Sequence, residues 1–281
     1  LIAEVVLVPD PAMRLAGVGY RYGLRDPWVL RGVDLEIQPG AITRIVGANG
    51  SGKSTLLRIM AGVHRPARGR ITGNGQVGYV PGKFPELPFT ALGYLLRLGR
   101  IHGLAEEEAT ELVDRWLDQL DAAAFRDQPI ADLSRGTAQK IGVIQALMTE
   151  PRLLVLDEAW TGLDSAAQSR LDAAVLDSAR RGTKVVFVDH DPDRLAAHTH
   201  AAYGFADGEL VVASALPAPL TGRVSIELDG APDPWPGPGS GRRLPDGALR
   251  VQVESGLSDD LLREILREHP KVHVRSITEV R

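Results

Sequence analysis

Residues 47–55 read Gly-Ala-Asn-Gly-Ser-Gly-Lys-Ser-Thr, and this stretch decides how the rest of the 281-residue chain is read. The apolar run Ala41–Val46 before it has the character of a buried strand, and Leu56–Ala61 after it that of an opening helix. Glycines 47, 50 and 52 let successive backbone N–H groups turn inward around an anion, where side chains would obstruct them. A helix starting at Lys53 adds unpaired N–H groups and the positive end of its dipole. Lys53 can reach the β- and γ-phosphates, and the Ser54 hydroxyl can ligate Mg²⁺. A strand–loop–helix of this composition implies a site for a nucleoside triphosphate, built by Gly47, Asn49, Gly50, Ser51, Gly52, Lys53, Ser54 and Thr55.

The composition sets outer bounds. Hydrophobic residues make up 44% and charged residues 24%, ordinary values for a globular chain. A net charge of −4 argues against bulk nucleic acid as a partner. With no cysteine there is no disulfide, no thiolate metal site and no cysteine nucleophile. No apolar run reaches the roughly 18 residues of a membrane-spanning helix, so the chain is expected not to span a membrane by itself. Residues 1–8 are apolar but interrupted by Glu4 and lack a positive leader, so a strand is expected there and not a signal peptide.

Along the chain, β-favouring stretches at Met13–Tyr22, Val33–Ile37 and Ile42–Val46 are separated by turn material. Further strands are expected at Gln76–Val80, Leu153–Leu156, Lys184–Val188, Ala201–Ala206 and Glu209–Ala213. Helical patterns occupy Ala91–Ile101, Ala105–Leu120, Thr137–Thr149, Ser165–Arg180 and Pro192–His198. Strands alternating with helices after residue 41 imply an α/β sheet with parallel strands. Residues 90–149 hold helices only and read as an inserted helical subdomain, about 83–149. The first domain is expected to end near residue 214, followed by a Pro/Gly-rich linker and a small α+β extension over 215–281. Residues 231–247 are too rich in Pro and Gly for a regular element. Beyond them a strand (Leu249–Glu254), a helix capped by Ser258 and a last strand near Val272–Ile277 are expected, a small strand–helix–strand unit.

Leu153-Leu154-Val155-Leu156-Asp157-Glu158 is the second decisive stretch. A buried parallel strand ending in Asp-Glu delivers two carboxylates to the carboxyl edge of the sheet, where ligands bind in open α/β folds. Asp157 can hold Mg²⁺ and Glu158 can orient and polarise an attacking water. Between the two stretches lies Leu133-Ser134-Arg135-Gly136-Thr137-Ala138-Gln139-Lys140, with Ser134 a natural N-cap.

In this order and spacing, residues 13–213 resemble the ATP-binding cassette family, whose signature is usually Leu-Ser-Gly-Gly-Gln. The resemblance implies the P-loop ATPase core with an antiparallel β subdomain and an inserted helical subdomain. It implies that Tyr22 stacks on adenine, with Tyr20 and Trp28 as neighbouring alternatives. Ser134 and Gly136 would meet the γ-phosphate of ATP held by a second copy of the chain or by a homologous ATPase subunit. Thr161–Asp164 would carry communication between the two sites, and Asp164 also suits a helix cap. His190 matches the switch histidine contacting the γ-phosphate, so Glu158 and His190 are the expected catalytic pair and Ser54 and Asp157 the Mg²⁺ ligands. Two departures from the family carry weight: Gly82 stands where a glutamine is usual, and Thr137 replaces the signature glutamine.

The expected activity is ATP hydrolysis in a head-to-tail dimer that drives a separate transmembrane permease, at the cytoplasmic face of the membrane. The short helical block, the Leu-Ser-Arg-Gly-Thr signature and the small extension look most like ATPases of bacterial exporters with separate permeases (ABC-2-like). Uptake ATPases share every catalytic motif and remain the alternative, as does a soluble cassette ATPase acting on ribosomes or DNA. A sensor that binds ATP without hydrolysing it is a third class, disfavoured by Glu158 and His190.

Overall fold

The computed structural model describes residues 11–212, 223–231, 240–244, 246–254, 261, 269 and 272–280. The chain divides into two compact units, 1–216 and 217–281.

In the first unit a six-stranded sheet runs β5(Val77–Val80), β6(Leu153–Asp157), β7(Lys184–Val188), β3(Ile42–Val46), β8(Ala201–Ala206), β9(Glu209–Val212). The first five strands are parallel and β9 returns antiparallel to β8. Every residue of β6 and β7 is buried, because both faces of the sheet are covered. Side chains alternate between two cores. Leu154, Leu156, Val185 and Phe187 face α4(Arg135–Leu147), α5(Ser165–Arg180) and the helices α2(Ala91–Ile101) and α3(Glu106–Gln119). Leu153, Val155, Val186 and Val188 face α1(Lys53–Met60) and a three-stranded antiparallel sheet of order β2(Leu30–Ile37), β1(Met13–Tyr20), β4(Arg68–Thr72). The topology puts the carboxyl ends of β3, β6 and β7 side by side.

Strand β5 is an edge, and α4 covers it. Gln145 Nε2 donates to the Tyr79 carbonyl at 3.1 Å and Gln139 Nε2 to the Pro81 carbonyl at 3.1 Å. Gln139 is 2% exposed, and Tyr94 of α2 donates to Gln145 Oε1. The helix that begins at Ser134 is thus tied by two amides to the strand leading into Gly82.

In the second unit β10(Arg223–Asp229), β11(Ser240–Arg243), β12(Leu249–Glu254) and β13(His273–Val280) form an antiparallel sheet of order β11-β12-β10-β13. Ile226, Leu228, Val251 and Val253 cluster with Leu261 and Val272.

The structure corrects several expectations. Pro192–His198 is not an α-helix, and only Ala196–His198 makes a 3₁₀ turn. Aspartate side chains turn the chain at the start of this segment: Asp191 N donates to Asp189 Oδ1 at 2.8 Å and Asp193 N to Asp191 Oδ1 at 2.9 Å. Leu195 then takes a left-handed φ of 52°. Strand β4 was not expected, because Arg-Gly-Arg-Ile-Thr lies mostly exposed and lacks an apolar run. β11 falls within 231–247, read as irregular, and β10 was not expected, so the second unit holds four paired strands where a strand–helix–strand was read. The strand expected over residues 1–8 and the helix capped by Ser258 lie outside the described residues, apart from Leu261.

Candidate functional site

Gly52 forms the N-cap of α1 with φ 108°, a conformation costly for any residue with a Cβ, and an added Cβ would stand 3.1 Å from Val29. The turn it makes exposes Asn49 and Gly50 at the crest of the loop, while Ser51 N donates to Ala48 O at 3.2 Å. A Cβ on Gly47, whose φ is 150°, would come within 2.8 Å of Ser51 Oγ, so that hydroxyl would have to move. Lys53 Nζ folds back onto its own loop, donating to the carbonyls of Gly47 at 2.8 Å and Ala48 at 3.0 Å. Burial lowers its pKa, opposed by the charges of Glu158 and Asp157.

The strand ends complete the constellation. Ser54 Oγ donates to Asp157 Oδ1 at 3.1 Å, bringing the first turn of α1 against the end of β6. Asp157 is 4% exposed, and burial raises its pKa, with the Ser54 hydrogen bond acting the other way. Glu158 leaves the strand with φ 55°, and its N–H is held by the Val188 carbonyl at 3.0 Å. A non-glycine residue in this region costs about 1–3 kcal/mol and aims the side chain away from the sheet. Its Oε1 meets His190 Nε2 at 3.1 Å, at the end of the neighbouring strand β7.

These donors suit Mg²⁺: one hydroxyl and one buried carboxylate, both hard oxygen ligands, on convergent elements. Among the described residues no group of three His, Cys, Asp or Glu converges on a metal site.

Tyr22 is 58% exposed, and its hydroxyl lies 2.9 Å from Thr55 Oγ1 at the start of α1. Its two neighbours already have ring contacts. Tyr20 stacks on His64 at 5.3 Å, and the guanidinium groups of Arg21 and Arg68 lie over the Trp28 ring, 4.9 and 4.6 Å from its centroid.

Ser134 and Gly136 stand apart from this constellation. Ser134 Oγ accepts from Thr137 N at 3.1 Å and lies 2.8 Å from Thr137 Oγ1, so α4 starts at Arg135, two residues before the expected Thr137. An added Cβ on Gly136 would collide with the Gly162 carbonyl oxygen. The glycine therefore lets the Ser134 turn nest on the Thr161–Asp164 loop, where Asp164 Oδ1 caps α5 by accepting from Ala167 N at 2.8 Å. Among the described residues no hydrogen bond links Ser134 or Gly136 to residues 47–55. The Gly136→Ala substitution is expected to cost about 1–3 kcal/mol through overpacking. In differential scanning calorimetry this appears as a thermal midpoint lower by about 2–4 °C per kcal/mol.

Gly82 rests on the same strand end: an added Cβ would lie 3.2 Å from the Asp157 carbonyl and 3.8 Å from Glu158 Cβ. The turn after β5 thus packs backbone to backbone against the two carboxylate residues.

The comparisons follow this geometry. A family model described as ABC transporter matches residues 30–161. The zinc import ATP-binding protein ZnuC of Halorhodospira halophila is 37% identical over 188 residues, 65% of this chain and 69% of that protein. The cobalt import ATP-binding protein CbiO of Salmonella paratyphi A is 30% identical over 233 residues, 77% of this chain and 85% of that protein. The chain belongs to the ABC transporter ATP-binding proteins. Its fold is shared with an ATP-binding subunit of an ABC transporter (TM-score 0.65, 22% identity, 71% of this chain and 88% of that one). A dimeric bacterial ABC transporter cassette gives TM-score 0.63 at 24% identity, over 70% of this chain and 96% of that one. The cassette is an ABC-type ATPase, and among its described residues no helix is long and apolar enough to cross a membrane.

The motifs led to the loop, the carboxylates and His190, but not to what holds the His190 loop. Arg44, on the strand entering the phosphate loop, donates to the carbonyls of Asp189 at 3.1 Å, Asp191 at 2.7 Å and Pro192 at 2.5 Å. The available signal was a lone arginine inside the apolar run Ala41–Val46.

Proposed function

We propose that this cassette is the ATP-hydrolysing subunit of a membrane transporter, working as a head-to-tail dimer on a separate permease. The observation that carries this reading is the pairing of Ser54 with Asp157 and of Glu158 with His190 on adjacent strand ends, while the Ser134–Gly136 turn lies off that site. One chain then presents a phosphate loop with its acid–base pair, and a second copy's Ser134 turn supplies the opposing helix N-terminus.

In this reading Lys53 exchanges the carbonyls of Gly47 and Ala48 for β- and γ-phosphate oxygens. The backbone N–H groups of 50–55 cradle the phosphates. Asn49 at the crest faces the second copy, and Tyr22, the exposed ring beside Thr55, stacks on adenine. Ser54 and Asp157 would hold Mg²⁺, which when bound neutralises charge on the phosphate oxygens. Glu158 orients the attacking water and takes its proton, and His190 holds Glu158 and the γ-phosphate side of the site. Asp164 fixes the start of α5, so that the Thr161–Asp164 loop can report one site to the other. Residues 215–281 are proposed to be an appended extension of the cassette domain.

The direction of transport follows the relatives in preference to the exporter expectation. Two similar proteins carry zinc import and cobalt import in their names, which supports an uptake system acting at the cytoplasmic face of the membrane. The test is purification of the tagged chain from detergent-solubilised membranes. A multispanning protein is the expected companion; ribosomes or DNA in its place would overturn the transporter reading for that of a soluble cassette ATPase.

A further inference from the structure

Behind the Glu158–His190 contact lies a second, polar ring. Trp160, two residues after Glu158, donates its indole N–H to Asp172 Oδ1 at 2.8 Å. Asp172 Oδ2 accepts from Arg194 Nη1 at 2.9 Å, and Arg194 Nη2 pairs with Asp191 Oδ2 at 3.3 Å, one residue after His190. Arg44 closes the ring from the other side through its three carbonyl contacts at Asp189, Asp191 and Pro192. The two arginines also bracket an aromatic pair: Arg44 lies 5.7 Å from the Phe187 centroid and Arg194 5.3 Å from the Trp160 centroid. The two rings meet edge to face at 5.8 Å.

We propose that Arg44 is the positioning residue of the His190 switch: it clamps the backbone of 189–192 so that the imidazole is presented to Glu158. This rests on the reading of His190 as part of the hydrolytic machinery. The physical case is the donor geometry. A short loop leaving a buried parallel strand has carbonyls that no ladder satisfies, and a planar guanidinium reaches three of them from two separate nitrogens held in a fixed fork, whereas a lysine's three donors radiate from a single nitrogen. Arg44 sits on β3 opposite Phe187 of β7, at the strand that continues into the phosphate loop. The same residue therefore joins the segment that cradles phosphate to the segment that carries the histidine. Misplacing a reacting group by about 1 Å can cost about 10²-fold in rate, enough for a backbone clamp to be visible in turnover.

The test is a double-mutant cycle on the full chain, reading kcat, KM and thermal midpoint. Arg44→Met is expected to lower kcat about 10- to 100-fold with KM for ATP within about twofold, and Arg44→Lys is expected to recover only a fraction of the loss. In an His190→Ala background, Arg44→Met is expected to change kcat less than about twofold, because the clamp then has nothing to present. A full additional loss in that background overturns the proposal, as does an unchanged kcat in Arg44→Met or a loss confined to KM. If Arg44→Met does not fold, Arg44→Lys carries the same cycle under the same criteria. An His190→Ala variant with unaltered kcat removes the role of His190 itself and the clamp with it, a result distinct from a normal histidine effect with additive arginine loss.

Discussion

Glu158→Gln is expected to lower ATP turnover about 10²- to 10⁴-fold, the usual contribution of a positioned general base, while ATP affinity stays close to that of the unaltered chain. The glutamine keeps the size and hydrogen-bonding reach of the carboxylate, so the contact with His190 Nε2 at 3.1 Å survives in some form. What it loses is the capacity to accept a proton. The proposed nucleotide contacts lie on residues 47–55 and Tyr22, away from the Glu158 side chain, and the backbone of 158 remains held by Val188. With hydrolysis blocked, the ATP-bound dimer should accumulate. The chain has no cysteine, so a pair introduced at Asn49 and Arg135 provides a clean reporter. Oxidation should give an ATP-dependent covalent dimer if one copy's phosphate loop meets the other's Ser134 turn. Turnover within a few-fold of normal would remove Glu158 from its assigned role, and a monomer under all conditions would remove the head-to-tail arrangement.

Asp157→Asn is expected to move activity and stability in opposite directions. Turnover should fall by about 10²- to 10³-fold, the scale seen when one preorganised charge-stabilising group is removed. Without metal or nucleotide, however, the variant should melt at a higher temperature. Burial raises the Asp157 pKa above its unfolded value, so the native chain binds more protons than the unfolded chain between the two values. Stability contributed by this group therefore falls as pH rises through that window, and its cost is fully present once the pH exceeds the native value. An asparagine keeps the acceptor for Ser54 and removes the buried charge. Scanning calorimetry in a chelator from about pH 3, below the ordinary aspartate value of about 3.9, to about pH 8 checks both parts: the variant should lie above the parent at the upper end and converge with it in acid. A variant that melts lower throughout would mean that the carboxylate is held by more than the contacts described.

Much of the site was legible because its chemistry is written in contiguous letters. A phosphate cradle needs glycines within a few residues, and a strand that ends in two carboxylates needs an apolar run before them. The bounds read for β3, β7, β8, α2 and α5 recur in the structure because these elements have strong apolar periodicity and clear ends, such as Asp164 before α5. What escaped was either weakly apolar or distributed. Strand β4 is held by pairing with β1, where Leu15 faces Ile71, and not by its own composition. The segment after His190 has the letters of a helix but is broken at Leu195, whose left-handed φ of 52° a right-handed helix cannot contain. Arg44, Asp172 and Arg194 act together only because β3, α5 and the loop after β7 meet in space. No local pattern announces such a meeting.

The two glutamine amides of α4 have a meaning beyond tying helix to strand. As the outermost strand of a parallel sheet, β5 would present a row of unsatisfied acceptors, a template on which an extended segment of another chain could add. Gln145 and Gln139 occupy the acceptors at alternate positions 79 and 81, which point the same way. The helix thereby makes this margin of the sheet unreceptive to strand addition. Protection against edge-to-edge strand addition is thus built into the same helix whose N-terminus is proposed to meet a second copy.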